Sequence, residues 1–101
     1  MRLLERDIEK TVGAACQRMG VAFHKLKLAS GAGWPDRTLL YRGRVMFMEL
    51  KGVGGRLTPL QEFTLGKLAD QRCVTCVAHS PSEAIEAVRA WVADVDGRDA
   101  Q

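Results

Sequence analysis

Two short segments constrain this chain more than any other feature: residues 33–36 (Gly-Trp-Pro-Asp) and residues 49–51 (Glu-Leu-Lys). Side chains alternate between the two faces of a strand, so Glu49 and Lys51 point the same way and the residue between them points opposite. The hydrophobic residues that follow Asp36 also favour a strand. If these two strands are neighbours in one sheet, Asp36 meets Glu49 and Lys51 at its edge.

Two carboxylates beside a fixed ammonium group suit a divalent cation and a phosphate ester. Asp36 and Glu49 would offer anionic oxygens to Mg²⁺ or Mn²⁺, and the backbone carbonyl of Leu50 would add a third oxygen. Lys51 would orient an attacking water or neutralise the charge that develops on the phosphate. Glu9, on the first predicted helix, would bind the metal through water or hold a second ion. The combination predicts a metal-dependent nuclease.

Each of these residues also has an ordinary structural role. Asp36 after a proline is typical of a turn, and a Glu-x-Lys at a strand end is often a solvated ion pair. Glu5 and Glu9 lie one helical turn apart and are compatible with an exposed face. Gln61 stands three residues after Thr58, where its side chain would complete a capping box. The prediction therefore depends on the combination of residues.

Positive charge is concentrated in the middle of the sequence. Residues 18–56 carry eight basic side chains and only two acidic ones, which are Asp36 and Glu49. Such a basic surface attracts a phosphate backbone, and the structural alternative is a sheet edge protected by lysine and arginine. The side chains predicted to contact DNA are Lys25, Lys27, Trp34, Arg37 and Arg56.

Hydrophobic periodicity and capping residues predict an α/β chain with the element order α-β-β-β-α-β-α. The predicted helices cover about residues 3–19, 59–70 and 81–94, and the predicted strands cover 21–28, 36–41, 45–51 and 73–78. In the second helix, Leu60, Phe63 and Leu68 are predicted to be buried.

The length of 101 residues suffices for one domain with one core. Residues 1–95 are predicted to form this domain, and residues 96–101 are predicted to be a frayed tail. No apolar run approaches the length of a membrane span, and the charged start is not a signal peptide. These features predict a cytoplasmic protein.

The three cysteines, an odd number, argue against a disulfide framework. Cys73 and Cys76 match C-x-x-C, but positions three apart on a strand face opposite sides, and a second pair of ligands is missing. Buried free thiols are therefore predicted in preference to a zinc or redox site.

The order of the motifs resembles that of the VRR-NUC family, a branch of the PD-(D/E)xK nuclease superfamily. The resemblance runs from Glu5 to about Trp91 and is carried by Glu9, Gly20, Gly33-x-Pro35-Asp36, Glu49-Leu50-Lys51, and Gln61 with Phe63. It implies a restriction-endonuclease-like αβββαβ(α) core with a central mixed sheet flanked by helices.

The same resemblance implies roles for particular residues. Asp36 and Glu49 would be metal ligands, and Lys51 would be the catalytic lysine. Gln61 would be an active-site residue, and a glutamate of the first helix would be an accessory ligand. Glu9 fits that accessory role better than the other helix-one glutamate, because related junction resolvases similarly place theirs about three turns before the glycine that ends the helix.

Short stand-alone members of this family resemble phage or bacterial enzymes that act as homodimers on branched DNA such as Holliday junctions. The resemblance therefore implies an endodeoxyribonuclease that needs Mg²⁺ or Mn²⁺ and no organic cofactor. Trp34 stands where a small or basic residue is expected, and it would stack on a base or fill a dimer contact. Two alternatives stay open: a nuclease on linear or flap DNA, and an inactive DNA-binding module with the same fold.

Overall fold

A computed structural model describes residues 4–26 and 32–101 of the chain. The elements in order are α1 (Glu5–Met19), β1 (Ala22–Lys25), β2 (Arg37–Tyr41), β3 (Arg44–Leu50), α2 (Pro59–Asp70), β4 (Val74–Ala78) and α3 (Pro81–Asp99). This order confirms the predicted α-β-β-β-α-β-α arrangement. The first strand is shorter than predicted and ends at Lys25; Lys27 and the remainder of that predicted strand lie outside the described residues.

The four strands form one mixed sheet in the order β1-β2-β3-β4. β1 pairs with β2 and β2 with β3 in antiparallel register, whereas β3 and β4 are parallel. The β2–β3 connection is a two-residue turn in which Arg42 and Gly43 both have positive φ angles, of 49° and 77°. This geometry matches the twist of a tight hairpin. The predicted central mixed sheet is confirmed.

The main core lies between one face of the sheet and the helices α1 and α3. Met46, Met48 and Leu50 of β3 are buried on this face, as the strict alternation along the strand predicts. α1 ends at Gly20, whose φ of 76° is the left-handed conformation in which glycine commonly ends a helix. The helix residues buried against the strands are Ile8, Val12, Cys16, Ala84, Val88, Trp91 and Val95.

α3 continues beyond its predicted end, and the predicted fraying after residue 95 is wrong as far as Asp99. Its last turns are tied to the β2–β3 turn, because the Tyr41 hydroxyl donates to Asp96 Oδ1 at 2.8 Å. Arg44 Nη2 also lies 3.0 Å from Asp99 Oδ1. Although α3 has 19 residues, no helix in the described ranges is long and apolar enough to cross a membrane.

α2 begins at the predicted cap and packs against β4. Leu68 is buried as predicted, but the predicted burial of Leu60 and Phe63 is wrong, because these side chains are 48% and 61% exposed. The stripe that α2 turns inward instead includes Leu68 and the half-buried Leu65. Phe63 lies outside this stripe, with the Lys67 ammonium 5.2 Å from its ring centre.

All three cysteines are free thiols. Cys16 is fully buried, whereas Cys73 and Cys76 are half-buried, so the prediction of burial holds fully only for Cys16. Burial raises the pKa of the Cys16 thiol to about 11, and burial followed by the nearby Glu83 raises the pKa of Cys76. Thiols with raised pKa values stay protonated near neutral pH and are poor nucleophiles.

Candidate active site

The ends of β2 and β3 bring the two predicted motifs together. Asp36 directly precedes β2, Glu49 is the penultimate residue of β3, and Lys51 directly follows β3. Because Arg37 pairs with Met48 in the antiparallel register, the preceding residue Asp36 lies beside Glu49. The convergence predicted from strand alternation is therefore present in the structure.

Glu49 interacts electrostatically with the other charged residues at this end of β2 and β3. Its side chain is almost fully buried, and Lys51 Nζ lies 3.6 Å from Glu49 Oε2. Burial is the main reason that the pKa of Glu49 is raised; the charges of Asp36 and Glu5 raise it further, and the Lys51 ammonium partly opposes them. Ionisation of Glu49 is thus less favourable than that of an ordinary glutamate, and a cation bound beside it would stabilise the ionised form.

Gln61 performs the predicted capping role and also faces the site. The backbone N–H of Thr58 donates to Gln61 Oε1 at 2.9 Å, and the backbone N–H of Gln61 donates to Thr58 Oγ1 at 3.1 Å. The other end of the same side chain, Nε2, donates to Glu49 Oε2 at 3.5 Å. The two roles that the sequence leaves as alternatives therefore use different atoms of one amide group.

Gly33 permits this contact between α2 and the sheet edge. Its φ is +86°, and a Cβ atom there would lie 2.6 Å from Leu60 Cγ and 2.9 Å from the Leu60 carbonyl oxygen. Only glycine fits both the backbone angle and the space. The glycine of the Gly-x-Pro-Asp motif thus lets α2 begin close to the loop, which places Gln61 next to Glu49.

Arg37 was predicted to contact DNA, and the structure overturns that prediction. Its side chain is completely buried, since Arg37 shares the helix-facing side of β2 with Leu39. Nη1 lies 2.5 Å from Asp36 Oδ1, and Nη2 lies 2.9 Å from Glu9 Oε2 and 3.6 Å from Glu5 Oε1. The alternation of β2 contains the signal for this orientation, because position 37 lies two residues before a core leucine.

The two glutamates of α1 therefore differ in their surroundings. Glu9 makes the shorter contact with the Arg37 guanidinium, whereas Glu5 acts on Glu49 and raises its pKa. Sequence reasoning favours Glu9 as the accessory acid and sets Glu5 aside. The structure brings both carboxylates to the edge of the site.

The remaining predicted DNA contacts lie around this edge with different exposure. Lys25 and Arg56 are exposed, and the loop that carries Arg56 is held by a 2.9 Å contact between His79 Nε2 and the Gly55 carbonyl oxygen. Trp34 is half-buried and packs edge-to-face on Phe47 with ring centres 5.6 Å apart. Lys25, Trp34 and Arg56 stay predictions as DNA contacts.

The oxygen ligands at this site suit a hard divalent cation that takes only part of its coordination shell from the protein. In residues 4–26 and 32–101, no three Asp, Glu, His or Cys side chains are arranged as a ready-made metal cluster. Mg²⁺ nevertheless commonly takes only one or two carboxylates and fills its shell with water and substrate oxygens. The mutually repelling carboxylates of Asp36 and Glu49 match that requirement. Mg²⁺ or Mn²⁺ stays a prediction.

Replacing Glu49 with glutamine should raise the free energy of unfolding at pH 7 without added metal. The pKa of Glu49 is raised in the folded state, so the protonated carboxyl group favours folding more than the ionised one does. Its contribution to the free energy of unfolding therefore falls as the pH rises through that pKa. Glutamine removes the cost of burying an ionised carboxylate, and the stability that the variant gains over the wild type should shrink towards pH 4. Chemical denaturation at both pH values measures the effect, with Glu86→Gln on the exposed face of α3 as the control. A less stable Glu49→Gln variant at pH 7 would show that the Lys51 ion pair outweighs burial.

The order of the elements and the four-stranded mixed sheet flanked by helices define a restriction-endonuclease-like α/β fold. A solved structure described as a VRR_NUC domain is similar to this chain with a TM-score of 0.77 and 21% sequence identity, covering 84% of this chain and 94% of the other. This likeness confirms the fold predicted from the motifs. No family model matches the sequence, and no curated protein matches it.

Proposed function

We propose that this chain is a metal-dependent DNA endonuclease that hydrolyses phosphodiester bonds. One observation carries the proposal: Asp36, Glu49 and Lys51 lie together at the ends of β2 and β3, with Lys51 Nζ 3.6 Å from Glu49. Burial and the neighbouring carboxylate of Asp36 make Glu49 a group that gains from a nearby cation. Its likeness to a VRR_NUC domain structure supports the same class of activity.

Asp36, Glu49 and the carbonyl oxygen of Leu50 would hold Mg²⁺ or Mn²⁺, with Glu9 as an accessory acid. The ion supplies Lewis-acid polarisation of the scissile phosphate. Lys51 places a positive charge beside the reacting phosphate, where it stabilises the developing negative charge and orients the attacking water. Gln61 Nε2 donates to Glu49 and so helps to fix the orientation of its carboxylate.

Branched DNA is the substrate class that we propose, cut by a homodimer in the manner of a Holliday-junction resolvase. Two active sites related by a twofold axis could face two strands of one junction. The exposed side chains of Lys25 and Arg56, in the basic central part of the chain, support contact with a phosphate backbone. The alternatives are cleavage of linear or flap DNA, and DNA binding without turnover.

The decisive experiment incubates the purified protein with a four-way junction, a flap and a linear duplex of matched sequence, each with Mg²⁺, Mn²⁺ or a chelator. Junction nicking that requires metal is the expected result. Asp36→Asn should abolish it while leaving the fold intact by circular dichroism. Asp70→Asn is the matched control, because it makes the same change at the exposed end of α2.

Each outcome of this panel separates the candidates. Equal cleavage of all three DNA structures would retain the nuclease and reject selectivity for junctions. DNA binding with no cleavage under either metal would favour the inactive module. Sedimentation of the protein alone and with a junction tests the homodimer, and a monomer in both conditions would reject it.

A further inference from the structure

The most unusual group near the site is the guanidinium of Arg37, which is fully buried among carboxylates. It lies between β2 and α1, and within 3.6 Å of its terminal nitrogens are oxygens of Asp36, Glu9 and Glu5. Three acids around one cation leave an excess of negative charge. A permanent positive charge therefore occupies the position to which these acids would otherwise attract an ion.

The contacts of Arg37 are ionic in character. Its three guanidinium nitrogens and Asp36 Oδ1 are buried without a well-aligned hydrogen-bond partner, although Asp36 and Glu9 lie within 2.9 Å. Coulomb attraction does not depend on donor direction, so charge alone accounts for the cluster. Another cation of similar reach could replace the guanidinium without breaking a network of directional bonds.

Two-metal phosphodiesterases place their ions about 3.5–4 Å apart. Here Oδ1 of Asp36 contacts Nη1 of Arg37 at 2.5 Å. Glu9, the other candidate ligand for a second ion, is occupied by Nη2. The guanidinium thus holds both carboxylates that would bind an ion on the α1 side of the site.

We propose that Arg37 is a positioning residue that takes the place of a second metal ion, so that each chain binds one divalent cation. The proposal rests on the proposed function for the identity of that first ion. Arg37 neutralises the charges of Glu9 and Asp36, and its Nη1 contact with Oδ1 orients the Asp36 carboxylate. Its charge and volume exclude another ion from the α1 side.

The test is a Mn²⁺ titration by calorimetry, combined with thermal unfolding at increasing Mn²⁺ concentration. The wild type should bind one ion per chain. Arg37→Gln should bind two, and its unfolding temperature should rise more with Mn²⁺ than that of the wild type, because binding to the folded state stabilises it. Arg37→Lys keeps the charge and should still bind one. Adding Glu9→Gln to Arg37→Gln should return the count to one.

The outcomes are separable from those of the proposed function. A variant that gains one ion over the wild type supports the inference whatever the cleavage assays show, whereas absence of cleavage by the wild type counts only against the nuclease. If Arg37→Gln is unfolded without metal, recovery of its circular dichroism spectrum with Mn²⁺ supports the inference. An unchanged ion count in a folded Arg37→Gln, or a variant that stays unfolded at saturating Mn²⁺, would overturn it.

Discussion

Replacing Arg37 with methionine should lower the free energy of unfolding by about 3 kcal/mol in metal-free buffer. Methionine fills a similar volume but leaves Asp36, Glu9 and Glu5 facing one another without the cation that now lies among them. Urea denaturation at pH 7 measures the loss.

Arg44→Met is the matched control for this prediction. It removes the same charge from a partly exposed ion pair with Asp99, and such pairs contribute roughly 0–1 kcal/mol. Comparable losses in the two variants would mean that the buried Arg37 cluster stabilises the fold no more than a partly exposed ion pair does. A loss confined to Arg37→Met would show that burial among three acids is the cause.

Replacing Lys51 with methionine should reduce the rate of DNA cleavage by about 10²–10³-fold, the usual effect of removing one preorganised charge from a transition state. The substitution keeps the length of the side chain and removes the ammonium that lies 3.6 Å from Glu49 Oε2. The loss should fall on kcat, with DNA affinity by fluorescence anisotropy nearly unchanged, because the interaction is made chiefly in the transition state.

Lys67→Met provides the comparison for Lys51→Met. Lys67 lies on α2 with its ammonium 5.2 Å from the centre of the exposed Phe63 ring. Its variant should cleave at the wild-type rate. Full activity of Lys51→Met, with a normal circular dichroism spectrum, would remove Lys51 from the reaction.

Local signals in the sequence account for most of the fold. The left-handed Gly20 ends α1, the Thr58–Gln61 capping box starts α2, and the alternation along β3 separates its core face from the face of Glu49. Each signal acts over a few residues and so can be read without knowing the rest of the chain. The family resemblance implies a mixed sheet, which the structure confirms; the spatial order β1-β2-β3-β4 is known only from the structure.

Errors arose where a contact joins distant parts of the chain. α3 extends to Asp99 because Arg42 and Arg44, in the β2–β3 hairpin more than 50 residues earlier, pair with its acidic end. Phe63 is exposed because α2 presents a neighbouring stripe to β4. Neither result has a local signal, since both depend on the relative positions of packed elements.

The sequence by itself indicated that Glu49 and Lys51 share one face of a strand and that Asp36 begins another strand, because side chains alternate along a strand. The antiparallel register of β2 and β3 then brings Asp36 beside Glu49. Only the tertiary structure decided what lies behind them. Packing of α1 on the sheet brings Glu5 and Glu9 to Arg37, and it buries a cation that charge counting had assigned to the surface. The sign of a side chain's charge follows from the residue type alone, but its dielectric environment and its partners depend on how the core is packed.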